Sequence, residues 1–193
     1  MRFRQRSLMT SMVFLVAATA CQNRVYLSDQ EKLWNPYRVG QKLVFHSTGD
    51  RYDTLEIIQV DNSAFSDGIG ARGNERLKVV TQHRLKDSNR LHELLFLYIT
   101  APWKEDPSAI DFNFFLPDRS FMGRNYSIAE LEGYREIALE TPQGTFHDVI
   151  AIEDNSHPLK KQGIKVIFWS KSAGYVRFEQ YDGTVGELVD LIK

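Results

Sequence analysis

Apolar and polar residues alternate along most of the chain, which is the pattern of strands that bury one face. Residues 110–116 (IDFNFFL) show this period of two, and residues 77–82 (LKVVTQ) repeat it. The run at 94–99 (LLFLYI) is apolar throughout. Its shortness favours a strand over a helix, and we expect a central strand covered on both faces.

Turn residues separate these runs at short intervals. Glycines at positions 49, 144, 174 and 183 each lie between β-type segments, where glycine supplies the positive φ of tight hairpins. We therefore predict an all-β fold: an antiparallel meander of about ten strands that forms a barrel or a sandwich. Periodicity does not choose between these two arrangements.

Two short helices interrupt the strand pattern. Residues 28–31 (SDQE) form a capping box, in which Ser and Glu side chains satisfy free N–H groups at a helix start. Asn35-Pro36 ends this helix after about one turn. Residues 127–130 (SIAE) carry the same signature and predict a second short helix.

The first 21 residues have the order of an export signal. Arg2, Arg4 and Arg6 precede an uncharged, mostly apolar run at 8–20 that ends in small residues before Cys21. That run is too short for a permanent membrane span. Ala18-Thr19-Ala20 fits ordinary secretory cleavage, which would leave Cys21 a free thiol. The same residues also resemble a bacterial lipobox, in which the cysteine receives lipid.

Lipid attachment at Cys21 is the interpretation we favour, because an exported chain with a single cysteine cannot form an internal disulfide. More than one acyl chain, such as palmitate, would hold the protein firmly at a membrane. By resemblance to bacterial lipoproteins, Gln22 (rather than Asp) after the cysteine implies sorting to the outer membrane of the cell envelope. We predict a signal peptide at 1–20, a lipidated tether at 21–27 and a single β-rich domain at 28–193.

Charge narrows the choice of partners. Residues 1–20 hold three Arg and no acid, which leaves the mature part with 21 basic and 25 acidic groups, a net charge of −4. Nucleic acid requires a basic surface, so we expect no nucleic-acid partner. Electrostatic adhesion to anionic lipid is disfavoured for the same reason, which leaves the acyl chains to hold the domain at the membrane.

Two segments carry a resemblance to a known group. Residues 27–45 (LSDQEKLWNPYRVGQKLVF), soon after the lipobox, and residues 166–189 (VIFWSKSAGYVRFEQYDGTVGELV) resemble the β-rich envelope lipoproteins of the Bacteroidota type. That group has no assigned activity. The resemblance therefore implies location and fold, and Cys21 is the one functional residue that it carries over.

Patterns for catalysis and metal binding are weak. The five histidines show no metal-ligand spacing, and G-x-S-x-G is absent. Asp148 shares the core side of its strand with Phe146 and Ile150, so it is either a perturbed carboxylate in a cavity or a structural acid at an edge position or paired with Arg135 or Arg177. We favour the structural reading, and predict no catalytic residue, no metal site and no cofactor.

Two loops are candidates for contact with a partner. Trp103 lies in a charged loop between two prolines, and Phe121 and Met122 lie at the tip of a predicted loop at 117–126. Exposed aromatic residues on such loops often anchor partners. For Trp103, folding of the indole over an open barrel end is the favoured alternative.

The sequence thus favours a non-enzymatic, membrane-anchored binding or scaffolding module with an envelope protein as its partner. One alternative is a carrier that holds a lipid or other apolar ligand in a barrel cavity. A second alternative is a hydrolase whose site, built on Asp148 and a histidine, is assembled from distant strands. An apolar interior would favour the carrier, and a filled core would favour the scaffold.

Overall fold

A computed structural model describes residues 24–66, 73–84, 91–116, 120–155 and 163–192. These residues form eleven antiparallel strands and two short helices, so the all-β prediction is confirmed. None of the helices in these ranges is long and apolar enough to cross a membrane. The strands are β1 (Lys42–Ser47), β2 (Arg51–Ser66), β3 (Gly73–Arg84), β4 (Leu91–Thr100), β5 (Ala109–Phe115), β6 (Phe121–Ser127), β7 (Ile137–Thr141), β8 (Gly144–Glu153), β9 (Ile164–Ser170), β10 (Gly174–Gln180) and β11 (Val185–Ile192); the helices are α1 (Asp29–Lys32) and α2 (Ile128–Glu132).

The strands form one sheet made of two meanders. Its order is β6-β5-β4-β3-β2-β1-β11-β10-β9-β8-β7, so the first and last strands pair at its centre. The two edge strands, β6 and β7, are neighbours in the sequence and are connected through α2. The hairpin turns contain the predicted glycines, which adopt positive φ at Gly49, Gly144, Gly174 and Gly183.

The sheet curls into a half-barrel, which answers the question between barrel and sandwich. β2 pairs with β1 through its first six residues and with β3 from Glu56 onward. This stagger tilts the strands, as closure of a barrel requires. Register shifts within the β2–β3 and β3–β4 pairs add local bends, because a bulge increases strand twist.

Both predicted helices are present. At α1, the Glu31 backbone N–H donates to Ser28 Oγ at 3.2 Å, and the Ser28 N–H donates to Glu31 Oε2 at 2.6 Å. This is the complete capping box expected from the sequence. At α2, the Glu130 N–H donates to Ser127 Oγ at 3.2 Å.

Aromatic side chains fill the concave side of the sheet. The Phe114 ring lies 4.7 Å from Tyr175, 5.4 Å from Phe178 and 5.6 Å from Phe45, centre to centre. Trp169 lies 4.8 Å from Tyr175 at a nearly perpendicular angle. All five rings are fully buried, at the distances and tilts that aromatic pairs favour. Side chains therefore occupy the centre of the half-barrel.

Residues 24–41, which we call the capping segment, close one end of this core. Leu27, Trp34 and Tyr37 are each 3 % exposed or less. The segment is attached at its start, because Val25 forms a parallel bridge with Asn74 and the Leu27 N–H donates to Glu75 Oε2 at 2.6 Å. Part of the predicted 21–27 tether therefore belongs to the folded domain.

One strand differs from its prediction. Residues 94–99 do form part of β4, but this strand is not covered on both faces, since Leu95 is 36 % exposed. The ladder pairs Val79 with Leu97 and Val80 with Leu95, which leaves Phe96 as an extra residue. At this bulge Phe96 and Leu97 both enter the core. The lack of alternation at residues 94–99 is therefore explained by the bulge and not by burial on both faces.

Candidate functional site

An exposed pair of aromatic rings lies on the outer face of the sheet at its β6 edge. Phe115 and Phe121 are direct partners in the β5–β6 ladder, and their rings stack with centres 4.2 Å apart and planes 23° apart. Phe121 remains 48 % exposed. Rigid, exposed aromatic rings bind partners at low entropic cost.

Gly123 provides the space for this stack. A Cβ at Gly123 would fall 2.6 Å from the tip of the Phe121 ring, so the ring lies against the bare backbone of its own strand. Phe115 on one side and Gly123 on the other hold Phe121 in place. The pair is thus an ordered apolar surface beside an open strand edge, and we call it the aromatic pair.

An ionic contact holds the β6 edge to the rest of the half-barrel. Arg124 pairs with Asp154, which follows β8, and donates from Nε to the Glu153 carbonyl oxygen at 3.3 Å. The Tyr181 hydroxyl donates to Asp154 Oδ2 at 3.2 Å. The Asp154 side chain is 10 % exposed, and a carboxylate at such depth requires partners. We call the Arg124–Asp154–Tyr181 group the clasp.

The sequence-predicted contact residues have different surroundings. Phe121 and Met122 lie in β6, not in a loop, and Met122 is 3 % exposed because it points inward. Residues 117–119 of the predicted loop lie outside the described residues. Trp103 does lie in a turn, where it exchanges two backbone hydrogen bonds of 2.9 Å with Asp106, and its side chain is half-buried.

Asp148 has a structural environment. Its carboxylate accepts from Ser170 Oγ at 2.7 Å and from the Ser172 backbone N–H at 2.8 Å. Burial raises the pKa of Asp148, but the hydrogen bonds from the two serines outweigh it and hold the pKa below its ordinary value. The suggested partner Arg177 instead pairs with Glu179 and Glu187. Asp148 therefore stabilises the β9–β10 turn.

The histidines do not assemble a reactive group with Asp148 in the described ranges. His147 is exposed, whereas Asp148 is half-buried and bound to Ser170 and Ser172. His83 is 2 % exposed and faces His92 across the β3–β4 ladder. Burial lowers the pKa of His83, and His92 adds to this effect. Within those ranges, no three His, Cys, Asp or Glu side chains converge on a point where a metal ion could bind.

Sequence reasoning identified Phe121 but missed both of its supports. The doublet Phe114-Phe115 was the available signal, because two adjacent aromatic residues break the alternation and place one ring outward. Gly123 was interpreted as part of the predicted loop at 117–126. Its role follows from the register that sets it beside Asn113, which periodicity alone does not fix.

Fold and surface together define a class: an antiparallel half-barrel with a filled core and an exposed aromatic pair at one edge. Comparisons with protein-family models, curated proteins and solved structures find no match to this chain.

Proposed function

We propose that this chain is a membrane-anchored lipoprotein of the bacterial envelope whose half-barrel is a non-enzymatic binding or scaffolding module. The order of residues 1–21 supports export and lipid attachment, because basic, apolar and small residues are followed by the single cysteine. Acylation of Cys21 would place the domain at the membrane surface, in the outer membrane as Gln22 suggests.

The filled core is the observation that carries this proposal over the carrier alternative. A carrier with a half-barrel fold requires space between the sheet and its ligand, and lipid-sized ligands occupy pockets of roughly 300–1,000 Å³. The concave side here is occupied by interlocking rings, of which Phe96, Phe112 and Trp169 are each fully buried. A binding partner is therefore expected on the outer surface.

The aromatic pair is the proposed contact point for an envelope protein. Phe121 offers an apolar ring already held in place, and β6 is a sheet edge. Aromatic residues that are ordered before binding dominate many protein interfaces. A partner that covers Phe121 would also shield the exposed strand edge, which folded proteins otherwise protect by other means.

The test compares two variants of the full chain in native membranes. Phe121→Ala removes the exposed ring, and Tyr52→Ala removes a ring that is 62 % exposed on a different strand. After mild solubilisation and affinity isolation, we expect the wild type and Tyr52→Ala to retain the same envelope protein. Phe121→Ala should bind it about tenfold more weakly.

Equal retention by both variants, or no retained protein in any sample, would overturn the proposal. Native mass spectrometry of the same material provides a second readout. A stoichiometric apolar molecule that co-purifies with the chain would instead support the carrier.

A further inference from the structure

The capping segment presents a second apolar surface, at the end of the domain where the proposed anchor begins. Its inward residues are Leu27, Trp34 and Tyr37, described above. Its outward residues are Tyr26, Leu33 and Val39, which are 58 %, 63 % and 61 % exposed. Large apolar side chains exposed to this degree, three times in one segment, mark an interaction surface.

Three contacts fix the segment across one end of the sheet. Val25 bridges to Asn74 at the start of β3. The Lys171 ammonium lies 4.8 Å above the Trp34 ring, in the turn between β9 and β10. The Gly40 N–H donates to the Ile57 carbonyl oxygen at 2.8 Å, just before β1 begins.

These contacts place the outward residues on the same end of the molecule. β1 begins at this end and β11 ends there, since Leu43 pairs with Leu191. Val39 lines one groove with Leu191 and with Ser172, which follows β9. Lys32, next to Leu33, lies 3.1 Å from Glu75 near the start of β3. Each outward residue is the sequence neighbour of an attached residue: Tyr26 of Val25, Leu33 of Trp34, and Val39 of Gly40. Tyr52 lies at the opposite end, because it is paired with His46 beside the β1–β2 turn.

We propose that the outward face of the capping segment lies on the lipid bilayer; this inference rests on the proposed acylation of Cys21. Only four residue steps separate Cys21 from the bridged Val25, and a fully extended chain covers about 14 Å in that distance. The capping segment is therefore held close to the membrane, with its apolar side chains free to enter the interface.

The chemistry of these side chains suits that position. Tyrosine is enriched where a membrane meets water, because its ring is apolar and its hydroxyl is polar. Beside Val39 lies an open groove of about 320 Å³ that Arg38 and Leu191 help to line. Arginine donors bind phosphate oxygens, so a lipid headgroup can be accommodated next to the inserted residues.

The single cysteine of the chain allows a direct test. When Cys21 is acylated, a cysteine introduced by Leu33→Cys, Val39→Cys or Tyr52→Cys is the only free thiol. Each full-length variant is labelled with an environment-sensitive fluorophore. It is then reconstituted into vesicles of phosphatidylethanolamine and phosphatidylglycerol, with or without brominated acyl chains. Bromine quenches only fluorophores that contact the bilayer.

We expect brominated lipid to reduce the fluorescence at positions 33 and 39 by about twofold or more, and to leave position 52 unchanged. Equal quenching at all three positions would overturn the inference. A photo-crosslinker at position 33 in native membranes should react with lipid, and reaction with a protein would overturn it too.

The number of fluorophores per chain distinguishes a failure of the proposed orientation from a failure of the proposed anchor. One fluorophore per chain shows that Cys21 is blocked, and a failure of quenching then concerns only the orientation of the domain. Two fluorophores per chain show a free Cys21, in which case the proposed anchor fails and the orientation fails with it.

Discussion

At Gly174, a missing side chain lets the capping segment reach the sheet. This residue has φ of +85°, and a Cβ there would lie 1.9 Å from the Tyr37 hydroxyl oxygen. That hydroxyl accepts a hydrogen bond from the Tyr175 backbone N–H at 2.9 Å. Position 174 therefore requires glycine for two reasons, its backbone conformation and the close approach of a buried tyrosine.

Gly174→Ala should lower the free energy of unfolding by about 2–4 kcal/mol, since backbone strain and overpacking add. Gly183→Ala is the matched control. Gly183 has φ of +89°, but its added Cβ would meet nothing within 4 Å, so about 1–2 kcal/mol is expected from the backbone alone. Urea denaturation of both variants measures the difference, and equal losses would contradict the role of Tyr37.

Asp148 is a single residue whose contribution to the stability of the fold should depend on pH. The pKa of its carboxyl group is below the ordinary value in the folded protein, so the folded state favours the ionised form. This contribution to stability is complete above the ordinary aspartate pKa and is lost as the pH falls through the folded pKa. Asp148→Asn should cost about 1 kcal/mol at pH 7.

The same substitution should flatten the acid side of the stability curve, because the variant carries no group to titrate at this position. Denaturation midpoints measured between pH 7 and pH 3 would show this. A variant whose midpoints fall with pH as steeply as those of the wild type would contradict the assignment.

The edge strand β6 depends on side-chain contacts as well as on its one ladder for its position. One of its edges pairs with β5, and the clasp ties it to the end of β8 without a strand ladder. Arg124→Leu should therefore release β6 locally, with amide hydrogen exchange in Phe121–Ser127 faster by about tenfold.

Arg177→Leu is the control for the clasp. Arg177 pairs with Glu187 on β11, but the backbone ladder already joins β10 to β11. Its loss should leave exchange in β6 unchanged. Similar exchange in the two variants would mean that β6 is held by packing alone.

The elements also show which features of the fold could be predicted from the sequence. Alternation and turn glycines identified most of the strands, and both S-x-x-E signatures marked helices correctly, because these signals are local. β6 was wrongly predicted as part of a loop at 117–126. The bulge in β4 and the inward direction of Met122 depend on register and curl. Those are settled by contacts between distant strands, so the sequence alone did not locate them.

At the scale of the whole molecule, local patterns predicted an all-β meander but not the order of its strands in the sheet. The pairing of β1 with β11 joins the first and last strands, and no local pattern specifies it. The candidate surfaces also differ in whether the sequence alone could predict them. Phe121 was found as an exposed aromatic residue, whereas the outward face of the capping segment emerged only after its inward residues were placed in the core.

The proposed location and the membrane-facing orientation both depend on the chemical state of Cys21. The most direct measurement is the intact mass of the full protein extracted from the membranes of its own cell. We predict a chain that begins at Cys21 and carries the added mass of its acyl groups. An unmodified cysteine, or a chain that still carries residues 1–20, would contradict both the proposed location and the membrane-facing orientation.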